Sequence, residues 1–168
     1  MKIIQTIALA TLALAAGSTA QAKINKFAMV SPGVYRGSQP ETAEDYQILK
    51  SLGIRTILNL RNERAKIRTE RAFAAVAGLE VRSVPMSALL PPSDSTVDLA
   101  LDDIKDLNLR PIFIHCQYGK DRTGMIVGLF RVEAEHWTTK QAYRQMLSFG
   151  FSEILLGLEY YFWHRVRR

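Results

Sequence analysis

One cysteine in 168 residues, Cys116, sits between two apolar runs, Pro111 to Ile114 before it and Met125 to Phe130 after it. The stretch between them, His115-Cys116-Gln117-Tyr118-Gly119-Lys120-Asp121-Arg122-Thr123-Gly124, is short and polar. A buried strand followed this closely by a buried helix leaves room only for a tight, curled loop. Curling such a loop turns the amides of Gln117 through Arg122 inward. The result is a concave nest at a helix N-terminus, which favours a dianion. Gly119 supplies a backbone conformation that a Cβ would hinder.

The side chains fit that nest. Cys116 lies at its base, where inward amides and the helix dipole stabilise a thiolate; an ordinary cysteine has a pKa of about 8.5. Arg122 presents a planar fork that grips two oxygens of a tetrahedral anion, which lysine cannot do. Thr123 brings a hydroxyl within reach of the thiolate. The expected chemistry is attack of Cys116 on phosphorus, then hydrolysis of the phosphocysteine by water, with charge on the equatorial oxygens held by the nest and Arg122. No metal or other cofactor is required, and the three histidines, His115, His136 and His164, offer no paired ligand spacing.

The spacing His-Cys-x5-Arg-Thr-Gly resembles the signature of the cysteine-dependent protein tyrosine and dual-specificity phosphatases. The variant Cys116-x-x-Gly119-Lys120-Asp121-Arg122-Thr123 is similar to the bacterial branch that includes lipid and phosphotyrosine phosphatases. Upstream, Gly33-Val34-Tyr35-Arg36-Gly37-Ser38-Gln39-Pro40 resembles the opening of small bacterial, plant and fungal atypical dual-specificity phosphatases. The resemblance covers most of the chain from about Ala28. It implies Cys116 as nucleophile, Arg122 as phosphate clamp, and Gln117, Tyr118, Gly119, Lys120 and Thr123 as substrate-binding positions. His115 would support the thiolate through hydrogen bonds to the loop backbone.

Residues 1–22 read as a secretory leader. Lys2 is followed by the apolar Ile3 to Ala16, and Ala20-Gln21-Ala22 is a small-x-small cleavage site. The apolar run is too short for a comfortable span, so no stable membrane insertion is expected after cleavage. Residues 23–168 then form one catalytic domain in the periplasm or outside the cell, expected to be monomeric, and no second thiol is present to capture the nucleophile in a disulfide. Net charge is +6, which suits an anionic partner. With no tandem basic and aromatic array, nucleic acid is not the expected partner; a phosphorylated protein, small molecule or lipid headgroup is.

Strand and helix signals alternate along the chain. Ala28–Val30 and Val34–Arg36 flank a Pro-Gly turn, and helices are expected over 41–51, 63–77, 94–107, 123–136, 139–148 and 153–166. Strands are expected over 54–60, 79–84 and 111–115. Phe73 and Val76 are expected to be buried, as is one face of the 94–107 helix made of Val97, Leu101, Ile104 and Leu107. The Arg61-to-Arg71 segment reads mostly as a solvated helix face partnered by Glu63 and Glu70. Ile154, Leu155, Leu158, Tyr161 and Phe162 form a core stripe. The fold class is α/β: a central, mostly parallel sheet flanked by helices, protein tyrosine phosphatase-like. Strand C-terminal ends form the site, namely Arg61-Asn62-Glu63, the Met86 to Ser93 loop and the cysteine loop.

A general acid is harder to find. The Met86-Ser87-Ala88-Leu89-Leu90 loop carries no carboxylate. Asp94 is the nearest one, but Ser93-Asp94 precedes an apolar-periodic run, where either residue suits a helix cap. Asp121, inside the motif, is the preferred candidate, with a purely positioning role as the competing one. Phosphotyrosine is the expected substrate, with phosphoserine and phosphothreonine open to a shallow pocket. Phosphoinositide or inositol phosphate is the alternative, motivated by Lys120, Arg122 and the basic segment. Two other classes stay open: a rhodanese-like sulfurtransferase, and a phosphate-binding module without turnover.

Overall fold

The computed structural model describes residues 24–167. The leader reading of 1–22 lies outside the described residues. Five strands form one sheet: β1 (Ala28–Ser31), β2 (Val34–Gly37), β3 (Thr56–Asn59), β4 (Glu80–Ser83) and β5 (Ile112–His115). Their order is β1-β2-β5-β3-β4, with β1 antiparallel to β2 and all other pairings parallel. The central strands are those whose sequences lack alternation. Every residue of β3 (Thr-Ile-Leu-Asn) and of β5 (Ile-Phe-Ile-His) is buried, as expected for parallel strands covered on both faces.

Helices α1 (Ala43–Ser51) and α2 (Arg64–Val76) cover one face, around Tyr46, Leu49, Ile57, Ala74 and Phe113. Helices α3 (Asp94–Lys105), α4 (Asp121–Glu133), α5 (Thr139–Ser148) and α6 (Leu156–Arg165) build the larger core on the other. Their starts follow local chemistry. Thr42 and Asp45 close a capping box on α1, Thr138 and Gln141 another on α5, and the Ser93 hydroxyl accepts from the Thr96 amide on α3. Helix α4 is buried from Arg122 to Arg131, the all-round burial of a helix at a domain centre.

Three packing expectations are corrected. Val76 is 82% exposed and Phe73 only half-buried. The inward face of α2 runs through Ile67, Glu70 and Ala74, and Val76 lies about two and a half turns beyond Ile67, on the opposite side. Leu107 is exposed because α3 ends at Lys105, and the extended backbone at Asp106 breaks the periodicity before Leu107. Ile154 precedes α6 rather than belonging to it, and only Leu158, Tyr161 and Phe162 of the stripe are fully buried.

The strand register positions the site. Gly37, His115 and Asn59 pair across β2, β5 and β3, and Ser83 continues the row on β4. All four strands run parallel, so the segments following these residues emerge along one edge of the sheet.

Candidate active site

The cysteine loop runs from the end of β5 to the start of α4. Gly119 has φ +66°, and a Cβ there would lie 2.4 Å from the Gly37 carbonyl oxygen. Only glycine satisfies both the left-handed conformation and this approach. The loop is laced to the segment after β2. Arg36 Nη2 donates to the Gly119 carbonyl at 2.7 Å, and the Gln39 amide donates to the Gln117 carbonyl at 3.3 Å. Arg36 is fully buried, with its guanidinium 3.9 Å from the centre of the Phe149 ring. Burial lowers its pKa to about 10, against the opposing pull of the Cys116 charge, so it stays cationic at neutral pH. The Tyr35-Arg36-Gly37-Ser38 motif is therefore the floor of the loop.

Cys116 is 2% exposed. Burial pushes its thiol up, but the Thr123 hydroxyl and amide, the Arg122 charge and the Tyr118 amide pull it down, and the net direction is down. The Thr123 hydroxyl is buried, makes no other hydrogen bond among the described residues, and favours the Cys116 thiolate. The N-cap of α4 is Lys120, whose side chain has no acceptor to occupy the first amides of the helix.

Arg122, 5% exposed, joins the three strand-end segments named from the sequence. Its Nη1 donates to Asn62 Oδ1 at 3.4 Å and to the Met86 carbonyl at 3.3 Å. Both contacts use one nitrogen, and among the described residues no other hydrogen bond engages the fork, which leaves its remaining donors for a ligand. Two open clefts of ≈370 Å³ each flank Gln117 and Tyr118, one walled by Arg61 and Lys66, the other by Lys26 and Lys120. Lys26 Nζ and Lys120 Cε converge over Gly150, at 3.5 and 3.7 Å from where its Cβ would stand.

The two candidate acids occupy different places. Asp121 is the first residue of α4, and its Oδ1 accepts from the Ser152 amide at 2.8 Å. It braces the turn before α6 rather than pairing with Arg122. Asp94 accepts from the Tyr161 hydroxyl at 2.7 Å and lies 3.8 Å from Arg165, so it is engaged by α6. Of the two residues offered as the cap of α3, Ser93 is the N-cap and Asp94 the first helical residue.

Behind the loop lies a group that sequence reasoning took for solvated surface. Glu70 is fully buried, with Oε1 2.8 Å from His115 Nε2, and the opposite ring nitrogen, Nδ1, is 3.0 Å from the Cys116 carbonyl. The carboxylate contact is short but off-axis, an ion pair rather than an aligned hydrogen bond. Burial lowers the His115 pKa, but the Glu70 charge, then the Cys116 carbonyl and thiolate, raise it further than burial lowers it. Asn59 Nδ2 donates to the other Glu70 oxygen, and Asn59 Oδ1 accepts from the Arg61 amide at 2.7 Å. Arg61 is buried too, bonded to Gln39 and to Glu63. The only sequence signal for Glu70 was its phase with Ile67 and Ala74.

An α/β sheet with a thiolate, an arginine and a curled amide loop at the strand ends defines a cysteine-dependent phosphatase architecture. A family model described as "DSP-PTPase phosphatase fused to NAD+ Kinase" matches residues 10–155, and the chain belongs to this dual-specificity phosphatase family. Among curated relatives, the inositol diphosphatase DSP4 of Arabidopsis thaliana is 31% identical over 128 residues, covering 74% of this chain and 63% of that protein. The dual specificity protein phosphatase TpbA of Pseudomonas aeruginosa is 27% identical over 131 residues, covering 77% of this chain and 56% of that protein. The chain thus spans about three fifths of the length of the curated relatives it matches. Among solved structures, TpbA superposes with a TM-score of 0.70 at 25% identity, covering 83% of both chains. The catalytic core of the Saccharomyces cerevisiae PP-IP phosphatase SIW14, in complex with citrate, gives 0.70 at 26% identity, covering 80% of this chain and 84% of that one.

Proposed function

We propose that this chain is a phosphatase that works through a phosphocysteine on Cys116, with phosphotyrosine in proteins as its leading substrate. One observation carries the reading: the buried Cys116 thiolate, served by the Thr123 hydroxyl and two amides, shares its loop with an Arg122 fork held by Asn62 and Met86. In the first step the Cys116 sulfur attacks phosphorus, the bond to the leaving oxygen breaks, and that oxygen takes a proton. In the second, water gives a proton back to the group that donated one and attacks the phosphocysteine, the S–P bond breaks, and hydrogen phosphate leaves with the thiolate restored. Arg122 and the loop amides stabilise the equatorial oxygens in both steps. Asp121 is the proposed proton donor through Oδ2, since Oδ1 is held by Ser152.

Inositol phosphates are the second reading. Lys26 and Lys120 make no ion pair among the described residues and converge beside the loop, as a second phosphate would require. The names of the plant relatives point the same way. Residues 1–22 support export to the periplasm, which N-terminal sequencing of the mature protein would test. For the substrate, phosphotyrosine peptides, phosphoserine peptides, phosphoinositides and inositol phosphates are to be compared with wild type and Cys116→Ser. Turnover of phosphotyrosine peptides at the highest kcat/KM, abolished in the variant, is expected. Preference for an inositol phosphate would select the second reading, and thiocyanate formation from thiosulfate and cyanide without phosphate release would overturn both.

A further inference from the structure

We propose that Glu70 is a positioning residue for the catalytic loop: anchored by Asn59, it keeps His115 doubly protonated beneath Cys116 and so sets the acidity of the nucleophile. The inference rests on Cys116 being the nucleophile, and begins from geometry. Both ring nitrogens of His115 face acceptors, Nδ1 the Cys116 carbonyl at 3.0 Å and Nε2 the Glu70 carboxylate at 2.8 Å. The Nε2 contact is off-axis, but a neutral ring would still leave one unprotonated nitrogen against an oxygen. A proton on each nitrogen removes that repulsion, and the ring becomes a cation.

The surroundings make Glu70 decisive. His115 and Glu70 have no exposed surface, and a charge so placed survives only with its partner. From β5, the Phe113 ring stacks on His115 at 5.8 Å and brings no charge. From α1, Tyr46 faces Glu70, and its hydroxyl also donates to the Pro40 carbonyl at 3.2 Å. From β3, Asn59 holds Glu70. From the loop, the Cys116 thiolate also favours the ring proton, while Arg122 and Arg36 act on Cys116. Glu70 is thus the one carboxylate among the described residues that touches His115.

The same anchor reaches the other half of the site. Asn59 also holds the Arg61 amide, next in chain to Asn62, which accepts from Arg122. Glu70 is thus linked through the His115 ring to the nucleophile's carbonyl, and through the buried Asn59 carboxamide to the loop that aims the clamp.

Two measurements test this. In the wild-type protein, ¹⁵N spectra of the three histidine rings are expected to show His115 protonated on both nitrogens at pH 7. Assignment comes from variants of His136 and His164. In Glu70→Gln the ring is expected to turn neutral. The midpoint of Cys116 alkylation by iodoacetamide is then expected to rise by about one pH unit, making inactivation about tenfold slower at pH values below both midpoints. A neutral His115 in the wild type overturns the proposal, and so does an unmoved alkylation midpoint in a folded Glu70→Gln. Should Glu70→Gln fail to fold, the wild-type spectrum decides alone. Neither readout uses turnover, so a chain that alkylates as expected but cleaves no phosphate ester would refute the phosphatase reading and leave this one standing.

Discussion

Replacing Gly119 with alanine separates what the loop needs from the backbone and what it needs from its neighbours. At φ +66° an alanine costs about 1–2 kcal/mol from the left-handed conformation alone. Gly53, at φ +82°, would incur that same cost, but its added Cβ meets nothing within 4 Å. At Gly119 the Cβ falls 2.4 Å from the Gly37 carbonyl oxygen and 2.7 Å from the Ser38 amide nitrogen, both backbone atoms that cannot swing aside. The loop must lift, and the buried bond from Arg36 to the Gly119 carbonyl is stretched, a loss of about 1.5–3 kcal/mol for a charged donor. Gly119→Ala is therefore expected to lose about 2.5–5 kcal/mol against about 1–2 for Gly53→Ala, measured by urea denaturation. Lifting the loop also moves the Tyr118 amide away from the sulfur, so turnover of an aryl phosphate is expected to collapse in Gly119→Ala and to survive in Gly53→Ala. Equal stability losses in the two variants, with Gly119→Ala still active, would refute the reasoning.

Three further outcomes follow. Asp121→Asn is expected to slow aryl phosphates with poor leaving groups far more than those with good ones; equal losses would leave Asp121 only its bond to Ser152. Because the Cys116 pKa is depressed, the thiolate persists as pH falls below the ordinary thiol range and is lost only as pH passes the folded value, so alkylation should stay fast into that window. Thr123→Ala removes the largest stabilising contact and should move that break upward, with rates converging at alkaline pH. Arg165 pairs with Asp98 at 2.7 Å and Glu133 at 2.8 Å, tying α6 to α3 and α4. These partners are partly exposed, so Arg165→Ala should lower stability by only about 1–2 kcal/mol, with the loss shrinking in high salt.

The legible parts of this site were those written in consecutive residues. The segment from His115 to Gly124 carries its own strand end, turn glycine, nucleophile, clamp and helix start, and its local conformation follows from that order. The upstream Tyr35-Arg36-Gly37-Ser38 stretch was legible as a motif but not as a loop floor. Only the pairing of β2 beside β5 brings Gly37 within reach of Gly119 and Arg36 under its carbonyl. Val76 and Leu107 were misplaced because a helix's inward face and its last turn are decided by what it packs against. Glu70 was misread for a deeper reason. Among arginines and lysines on a charged helix, a glutamate reads as a surface partner, and nothing local reveals that its phase points at a histidine 45 residues away.

By itself, then, the sequence determined the chemistry: a lone thiol, an arginine six residues later, and a glycine where the chain must turn left-handed between a strand and a helix. Those are local facts of spacing and backbone geometry, and they hold wherever the segment is placed. The tertiary structure decided which groups surround that segment. Parallel pairing of β2, β5 and β3 lined up Gly37, His115 and Asn59, and the packing of α2 sealed Glu70 behind them. Burial then turned ordinary polar side chains into paired charges, because away from water each retains its charge only through the partner the fold supplies.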